Sequence, residues 1–434
     1  MRRQQPASRP RIAVVTMGVK LGDETRGYTR FRFLSELLVN SGFDVDLITS
    51  TFQHWEKAHR DCSKACYQGL PYRIVFIDEP GYTKNLDLAR IRSHAVAAKH
   101  LRAHFQEHEG RYQLIYSEIP PNDVARVCAE EADRQRIPYV ADINDLWPEA
   151  MRMVVNVPVL SDLAFYPFTR DAKRVYELLS GAVGTSDEYA ARPAADRTRP
   201  YPHATVYVGN DLATFDEGVR TRAAAVPAKP TGEVWATYAG TLGASYDLAT
   251  LVRAAARLER ERQADATARE ARAASSCGQQ PAVPPVRVKV LGDGPDREKL
   301  EALAAELDAP VDFLGYQDYA SMAAWLAASD ITVNSLVRAA AQSIVTKIGD
   351  YLASGHPMIN TGSSPEFRAK VTGDGFGVNV EAEDVDALAG ALRDLARNPS
   401  LRKIMGAKGR AIAEREFDQP RSYQAIVNLI RNLL

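Results

Sequence analysis

The chain has 434 residues, with 54 Lys or Arg against 55 Asp or Glu, a formal net charge of −1, and 45% hydrophobic residues. That is globular composition, long enough for two or three domains with separate cores. The balanced charge excludes a bulk electrostatic nucleic-acid binder, which needs a net basic face to release phosphate counterions, so any anionic ligand must be held locally.

Residues 1–11 carry four arginines and two prolines with no apolar run, so neither a signal peptide nor a membrane span is expected there. Four cysteines make no disulfide framework in a chain of this size, and a reducing cytoplasm is the expected compartment. Short β-branched runs then alternate with amphipathic stretches. Strands are predicted at 11–16, 43–49, 72–77, 113–116, 138–143, 182–185 and 205–208, with a helix over 28–41 and helical stretches between most of the others. The most apolar stretch, 150–168, is broken by Arg152, Asn156, Pro158, Asp162 and Pro167 and reads as a buried or interfacial segment. The tract 214–232, punctuated by Pro227, Pro230 and Gly232, reads as an interdomain linker. The pattern restarts with strands at 233–239, 286–291, 311–314, 331–334, 357–360 and 376–380, and residues 260–285 read as a solvated, partly disordered insertion.

Such repetition is the βαβ signature of parallel sheets covered on both faces. The fold class expected is α/β: two Rossmann-like, doubly wound domains facing across a cleft. The division expected is 1–215 with a C-terminal crossing segment 418–434, and 216–417. Ligands of such sheets bind outside the carboxyl ends of the strands, so function is sought on the loops that follow them.

Two of these loops are glycine-rich: Gly240-Thr241-Leu242-Gly243 and Gly292-Asp293-Gly294. Each either makes a tight turn or lets a ligand approach the backbone and a helix N-terminus. The full dinucleotide fingerprint is absent, since Arg297 stands where its third glycine would be. A third element runs from Ser343 to Pro357. Ser343 or Thr346 is expected to cap a short helix that Gly355 ends. Lys347 and Asp350 share a face of it, either as a surface ion pair or as groups for a diphosphate and a ribose. In the first half, Glu118 and Asp145 each follow a predicted strand. Asp145 serves either as a helix N-cap or as a group that positions substrate.

The motifs Tyr238-Ala-Gly-Thr-Leu-Gly243, Val290-Leu-Gly-Asp-Gly-Pro295, Val311-Asp-Phe-Leu-Gly315 and Lys347-Ile-Gly-Asp-Tyr-Leu-Ala-Ser-Gly-His-Pro357 follow one another in the order and spacing of family 4 glycosyltransferases. The first half resembles the same family at Gly27-Tyr-Thr-Arg30, at Ser50-Thr-Phe-Gln-His54 and at Asp145-Leu-Trp-Pro-Glu149; the last two are similar to enzymes that build capsule and O-antigen polysaccharides. The resemblance implies a GT-B fold and retaining sugar transfer without a divalent metal or other cofactor. It implies a nucleotide-sugar donor, UDP-linked, bound by the C-terminal domain. The acceptor implied is a lipid-linked or oligosaccharide molecule of surface-polysaccharide assembly. Gly240, Thr241, Leu242, Gly292, Gly294, Thr346 and Lys347 would then serve donor binding, and Gly27 and Arg30 the acceptor side. Asp350 stands at the second acid of the family's E-x7-E motif, the ribose binder, and Gln342 replaces the first, which contacts the donor sugar. Catalytic roles fall to Asp145 and Glu118. A nucleotide-sugar epimerase or hydrolase and a non-catalytic nucleotide-sugar binder are the competing readings.

Three further signals are weighed. His54, His59, Cys62 and Cys66 lie close together but match no standard zinc spacing, so no metal is expected there. Asp44-Val-Asp46 has the form of a metal-binding D-x-D, yet it falls inside a predicted strand and reads as structural. Residues 88–105 carry Arg90, Arg92, Lys99 and Arg102 on an apolar-periodic helix. It is either packed on the sheet or a basic surface for anionic lipid, giving peripheral association with the inner face of the plasma membrane.

Overall fold

A computed structural model describes residues 9–22, 24, 29–84, 87–150, 160–271, 282–340 and 344–434. Contacts divide the chain into two compact units, Met1–Tyr207 with Ser422–Leu434, and Val208–Arg421.

In the first unit the strands are β1 (Arg11–Val15), β2 (Asp44–Ser50), β3 (Phe52–Gln53), β4 (Ala58–His59), β5 (Arg73–Ile77), β6 (Leu114–Ile119), β7 (Tyr139–Ile143), β8 (Gly181–Gly184) and β9 (His203–Thr205). Seven form a parallel sheet in the order β5-β2-β1-β6-β7-β8-β9, while β3 and β4 make a separate antiparallel hairpin. Side chains alternate across the sheet: Ile12 and Val14 join one core, Ala13 and Val15 the other. The C-terminal helix Gln424–Leu433 adds Ile426, Val427 and Ile430 to the first of these.

The second unit holds β10 (Val234–Ala239), β11 (Val286–Leu291), β12 (Val311–Gly315), β13 (Ile331–Asn334), β14 (Met358–Asn360) and β15 (Gly377–Asn379), a parallel sheet in the order β12-β11-β10-β13-β14-β15. In both sheets the order reverses beside the first strand, at β1/β6 and at β10/β13. That is the switch point where doubly wound sheets bind ligands.

Several expectations are corrected. Residues 214–232 are not simply a linker. Helix Leu212–Arg222 and a 3-10 turn at Ala223–Ala225 occupy its first half, and a Cβ on Gly218 would lie 2.8 Å from Ala320 Cα, so this helix packs within the second unit. Residues 260–271 are the end of a 24-residue helix, Leu248–Ala271, rather than a loop; 272–281 lie outside the described residues. The units change at Tyr207/Val208 and Arg421/Ser422, against an expected 215/216 and 417/418. Asn210 explains the shift: its amide donates to Phe417 O at 2.9 Å and its carbonyl accepts from the Gln419 amide, which ties the two crossings to each other, while its Nδ2 donates to Asp350 of the second unit. Of the apolar stretch 150–168, residues 151–159 lie outside the description, while Leu160–Leu178 is a helix that exposes Leu163 and Tyr166. Among the described residues no helix is long and apolar enough to cross a membrane.

Candidate functional site

In the second unit the loops after β10 and β11 lie against each other. The Leu242 amide donates to Asp293 O at 3.0 Å and the Gly292 amide to Gly315 O at 2.8 Å. A Cβ on Gly292 would fall 1.8 Å from Gly240 O, and one on Gly294 would fall 2.2 Å from Leu242 O. Those two glycines therefore permit loop stacking, the tight-turn alternative of the sequence reading. Leu242 is fully buried and anchors the same loop in the core, and Thr241 is exposed. The stack fixes Gly240 at φ +153 beneath Lys347, whose Nζ would sit 2.8 Å from a Cβ there.

Lys347 precedes helix Ile348–Ala353, and no side chain caps that helix, so Thr346 does not do so; Ser343 lies outside the described residues. The Lys347 ammonium is enclosed by tyrosines, 4.1 Å from the Tyr238 ring centre and 3.9 Å from that of Tyr246. Tyr238 donates to Thr241 O at 2.7 Å, and Tyr351 bridges the Ala239 amide and carbonyl. The buried Nζ has no hydrogen-bond partner among the described residues. Burial pushes its pKa well below the ordinary lysine value.

Lys347 and Asp350 do not form the surface pair. Asp350 Oδ1 instead accepts from Asn210 Nδ2 and from the Tyr319 hydroxyl, both at 2.8 Å, and burial pushes its carboxyl up to about 6. Sequence reasoning missed both partners. Gln342 lies outside the described residues.

In the first unit, Glu118 ends β6 beside the loop after β1. Its Oε1 accepts from the Met17 amide at 2.5 Å and the Gly18 amide at 3.2 Å. Burial raises its carboxyl to about 7 against the opposing pull of those amides. Asp145 follows β7; its oxygens accept from the Leu146 amide (2.9 Å) and Trp147 Nε1 (3.1 Å), and burial raises its pKa. Both carboxyls thus stand at carboxyl ends of neighbouring strands.

Arg30 is corrected. It is 2% exposed, with Nε and Nη2 on the two oxygens of Asp142 at 2.9 and 3.0 Å and Nη1 on Val206 O, Tyr207 O and the Tyr423 hydroxyl. Every donor group serves the fold, so Arg30 is a structural tie rather than an acceptor-side group. Gly27 lies outside the described residues. Asp46 of the D-x-D is fully buried under Arg11, Arg73, Arg111 and Tyr112 and is structural. His54 is engaged by Tyr82 and His59 by Pro80 O, and among the described residues no group of three or more His, Cys, Asp or Glu is placed to hold a metal ion. On helix Leu88–Glu107 the packed reading holds for the face with Ala97, Leu101 and Phe105, and the cations are not one surface: Arg102 pairs with Glu130, while Arg90 lies over the Tyr82 and Trp147 rings.

Two Rossmann-like parallel sheets, each with polar groups at its switch point, make up the fold, and comparisons with known proteins show what it is similar to. Residues 247–398 match the family described as glycosyl transferases group 1. A curated relative, the GDP-mannose-dependent monoacylated alpha-(1-6)-phosphatidylinositol monomannoside mannosyltransferase of Corynebacterium glutamicum, is 31% identical over 155 residues, 34% of this chain and 40% of the relative's length. Among solved structures, sucrose-phosphate synthase from Thermosynechococcus elongatus superposes with a TM-score of 0.68 at 17% identity, covering 98% of this chain and 99% of its own. HepE from Anabaena in complex with UDP gives 0.66 at 13%, covering 98% and 100%. WaaG, a glycosyltransferase involved in lipopolysaccharide biosynthesis, gives 0.59 at 14%, covering 96% and 99%. The chain has the fold of these GT-B glycosyltransferases, and the segment that matches group 1 contains Lys347 and Asp350.

Proposed function

We propose that this protein is a retaining, metal-independent glycosyltransferase that moves a sugar from a nucleotide-sugar, UDP-linked, to a lipid-linked or oligosaccharide acceptor in surface-polysaccharide assembly. The observation that carries it is the buried Lys347 ammonium, itself inside the group 1 segment, held on two tyrosine rings over Gly240 with no hydrogen-bond partner among the described residues. A donor diphosphate would meet that cation, and the backbone exposed by Gly240 lets it approach. Asp350 would then accept from the ribose, exchanging its present partners. In the first unit, Asp145 is clamped by two donors and suits positioning of the acceptor hydroxyl. Glu118, its carboxyl raised by burial, holds the loop after β1 and can stabilise charge that develops there. The leaving phosphate takes the acceptor proton, so no enzyme nucleophile is required.

A second reading, a GDP-linked donor, is favoured by the match to a GDP-mannose-dependent enzyme. Gln342 in place of the first acid changes how the donor sugar is held. A lipid-linked acceptor would bring the protein to the inner face of the plasma membrane, where the exposed Leu88, Ile91, Leu163 and Tyr166 suit an interfacial contact. The test is incubation with a panel of UDP- and GDP-sugars and an isoprenyl-diphosphate-linked sugar. Nucleoside diphosphate and an extended acceptor should form in equal amounts without added metal. Donor turnover with no extended acceptor would favour the hydrolase or epimerase instead.

A further inference from the structure

At the amino ends of β13 and β14, the side of the sheet opposite Gly240 and Lys347, the second unit has a cavity of about 440 Å³. Small-molecule sites occupy roughly 300–1,000 Å³. Asp330, just before β13, and Gly355 and His356, before β14, line one side of it; Arg402, Lys403 and Gly406 of helix Pro399–Ile412 line the other. A Cβ on Gly406 would fall 1.9 Å from Gly355 O, so the helix and the loop meet backbone to backbone where the two sides join.

Most of the charge around this cavity is already paired. Arg410, at its rim, binds both oxygens of Asp216 at 2.8 and 2.7 Å, Glu414 at 2.8 Å and Ala353 O at 3.0 Å. Asp330 Oδ2 accepts from the Trp235 amide at 2.9 Å and pairs with Lys229. Arg402 donates from Nη1 to Leu395 O and Ala396 O at 2.6 and 2.7 Å, and Nη2 stands 3.9 Å from Asp330 Oδ1. Its Nε and Nη2 make no hydrogen bond among the described residues, and exposed Lys403 has no partner among them at all. Set against Asp216, Glu414 and Asp330, the cations Lys229, Arg402, Arg410 and Lys403 leave one positive charge over. No acid stands in the first turn of helix Pro399–Ile412, where the helix dipole favours one. Two acceptors are also left. Asp330 Oδ1 has no hydrogen-bond donor. His356 Nε2 lies 3.0 Å from Ala327 O, which can only accept, so Nε2 carries the proton and Nδ1 presents a lone pair.

Unused donors on the helix side and unused acceptors on the strand side fit a small molecule that carries both an anion and hydroxyl groups. The His356 imidazole is the only ring on the lining, so a nucleotide base has no face to stack on. We infer that this cavity is a second binding site of the second unit and takes a sugar phosphate, with Lys403 and Arg402 on the phosphate and Asp330 Oδ1 and His356 Nδ1 accepting from sugar hydroxyls. It is separate from the donor lysine, since helix Ile348–Ala353 has Lys347 at its start and leads at its other end to Gly355. The site does not depend on the proposed transferase function.

The experiment is calorimetric titration of the full chain at low salt with glucose 1-phosphate, mannose 1-phosphate, inorganic phosphate and glucose. At least one hexose phosphate should bind about tenfold or more tightly than inorganic phosphate, and glucose should give no measurable binding. Lys403→Gln, on an exposed position that leaves the fold intact, should weaken the hexose phosphate by about tenfold, the scale of one charge-assisted contact. Lys408→Gln makes the same change on the same helix outside the cavity and should leave affinity unaltered, as should Lys347→Met at the opposite side of the sheet. Binding of neither hexose phosphate, affinity no greater than that of inorganic phosphate, or affinity unaltered by Lys403→Gln would each overturn the site. An equal loss in Lys408→Gln would mean diffuse attraction to the helix, and a loss in Lys347→Met would mean binding at the donor lysine; either overturns it as well. Hexose phosphate binding that follows Lys403 in a protein with no transferase activity would sink the functional proposal and leave this site standing.

Discussion

The Lys347 ammonium lies 3.9 Å from the centre of the Tyr246 ring and has no hydrogen-bond partner among the described residues. Its pKa is depressed in the fold, so over the window from that lowered value to the ordinary lysine value the unfolded chain binds the extra proton. Stability of the ligand-free protein should therefore rise with pH through this window. Lys347→Met should remove that rise and, near neutral pH, be at least as stable as the parent, by about 1 kcal/mol. Urea unfolding at several pH values checks it.

Arg30 and Asp142 form the buried tie of the first unit, at 2% and 0% side-chain exposure. Arg30→Met strands the carboxylate and should cost about 3–5 kcal/mol of stability. A loss below about 1 kcal/mol in denaturant unfolding, combined with weakened acceptor binding, would restore the acceptor-side reading of this arginine.

Glu118 has a folded pKa raised to about 7. A raised carboxyl contributes stability that is complete below its unfolded value and is lost as pH rises through the folded one. The stability of the parent relative to Glu118→Gln should thus fall between about pH 4.5 and 7, by on the order of 3 kcal/mol, and flatten above. A difference independent of pH would mean that Glu118 titrates normally.

Gly292 and Gly294 are fixed by contact with neighbouring backbone. Gly292→Ala, with its Cβ at 1.8 Å from Gly240 O and φ at +130, should destabilise the second unit by about 3 kcal/mol or more. Gly243→Ala, whose nearest neighbour stands at 3.8 Å, should change stability by less than about 0.5 kcal/mol. Thermal unfolding of the two variants side by side decides whether loop stacking sets the glycine requirement.

The sheets were legible because doubly covered strands are runs of β-branched residues, and β11 and β13 fall where the pattern placed them. Strand β9 was displaced: expected at 205–208, it ends at Thr205, since the carbonyls of Val206 and Tyr207 serve Arg30 instead of the ladder. The β3/β4 hairpin was missed because two-residue strands show no period and its turn uses Lys57, not glycine, at positive φ. Lys347 stands out in the sequence through its motif. Asn210 and Tyr319 were not, for they reach Asp350 from 140 and 31 positions away. Arg30 was misread because a buried structural arginine and a ligand-binding one look alike until partners are seen.

Calorimetric titration of UDP and GDP into the parent protein and Lys347→Met tests the central claim most directly. The parent should bind one of the two nucleoside diphosphates, and Lys347→Met should bind it at least about tenfold more weakly, equivalent to about 1.4 kcal/mol. Equal affinity in the two proteins, or no binding of either nucleotide by the parent, would contradict a donor site built around Lys347.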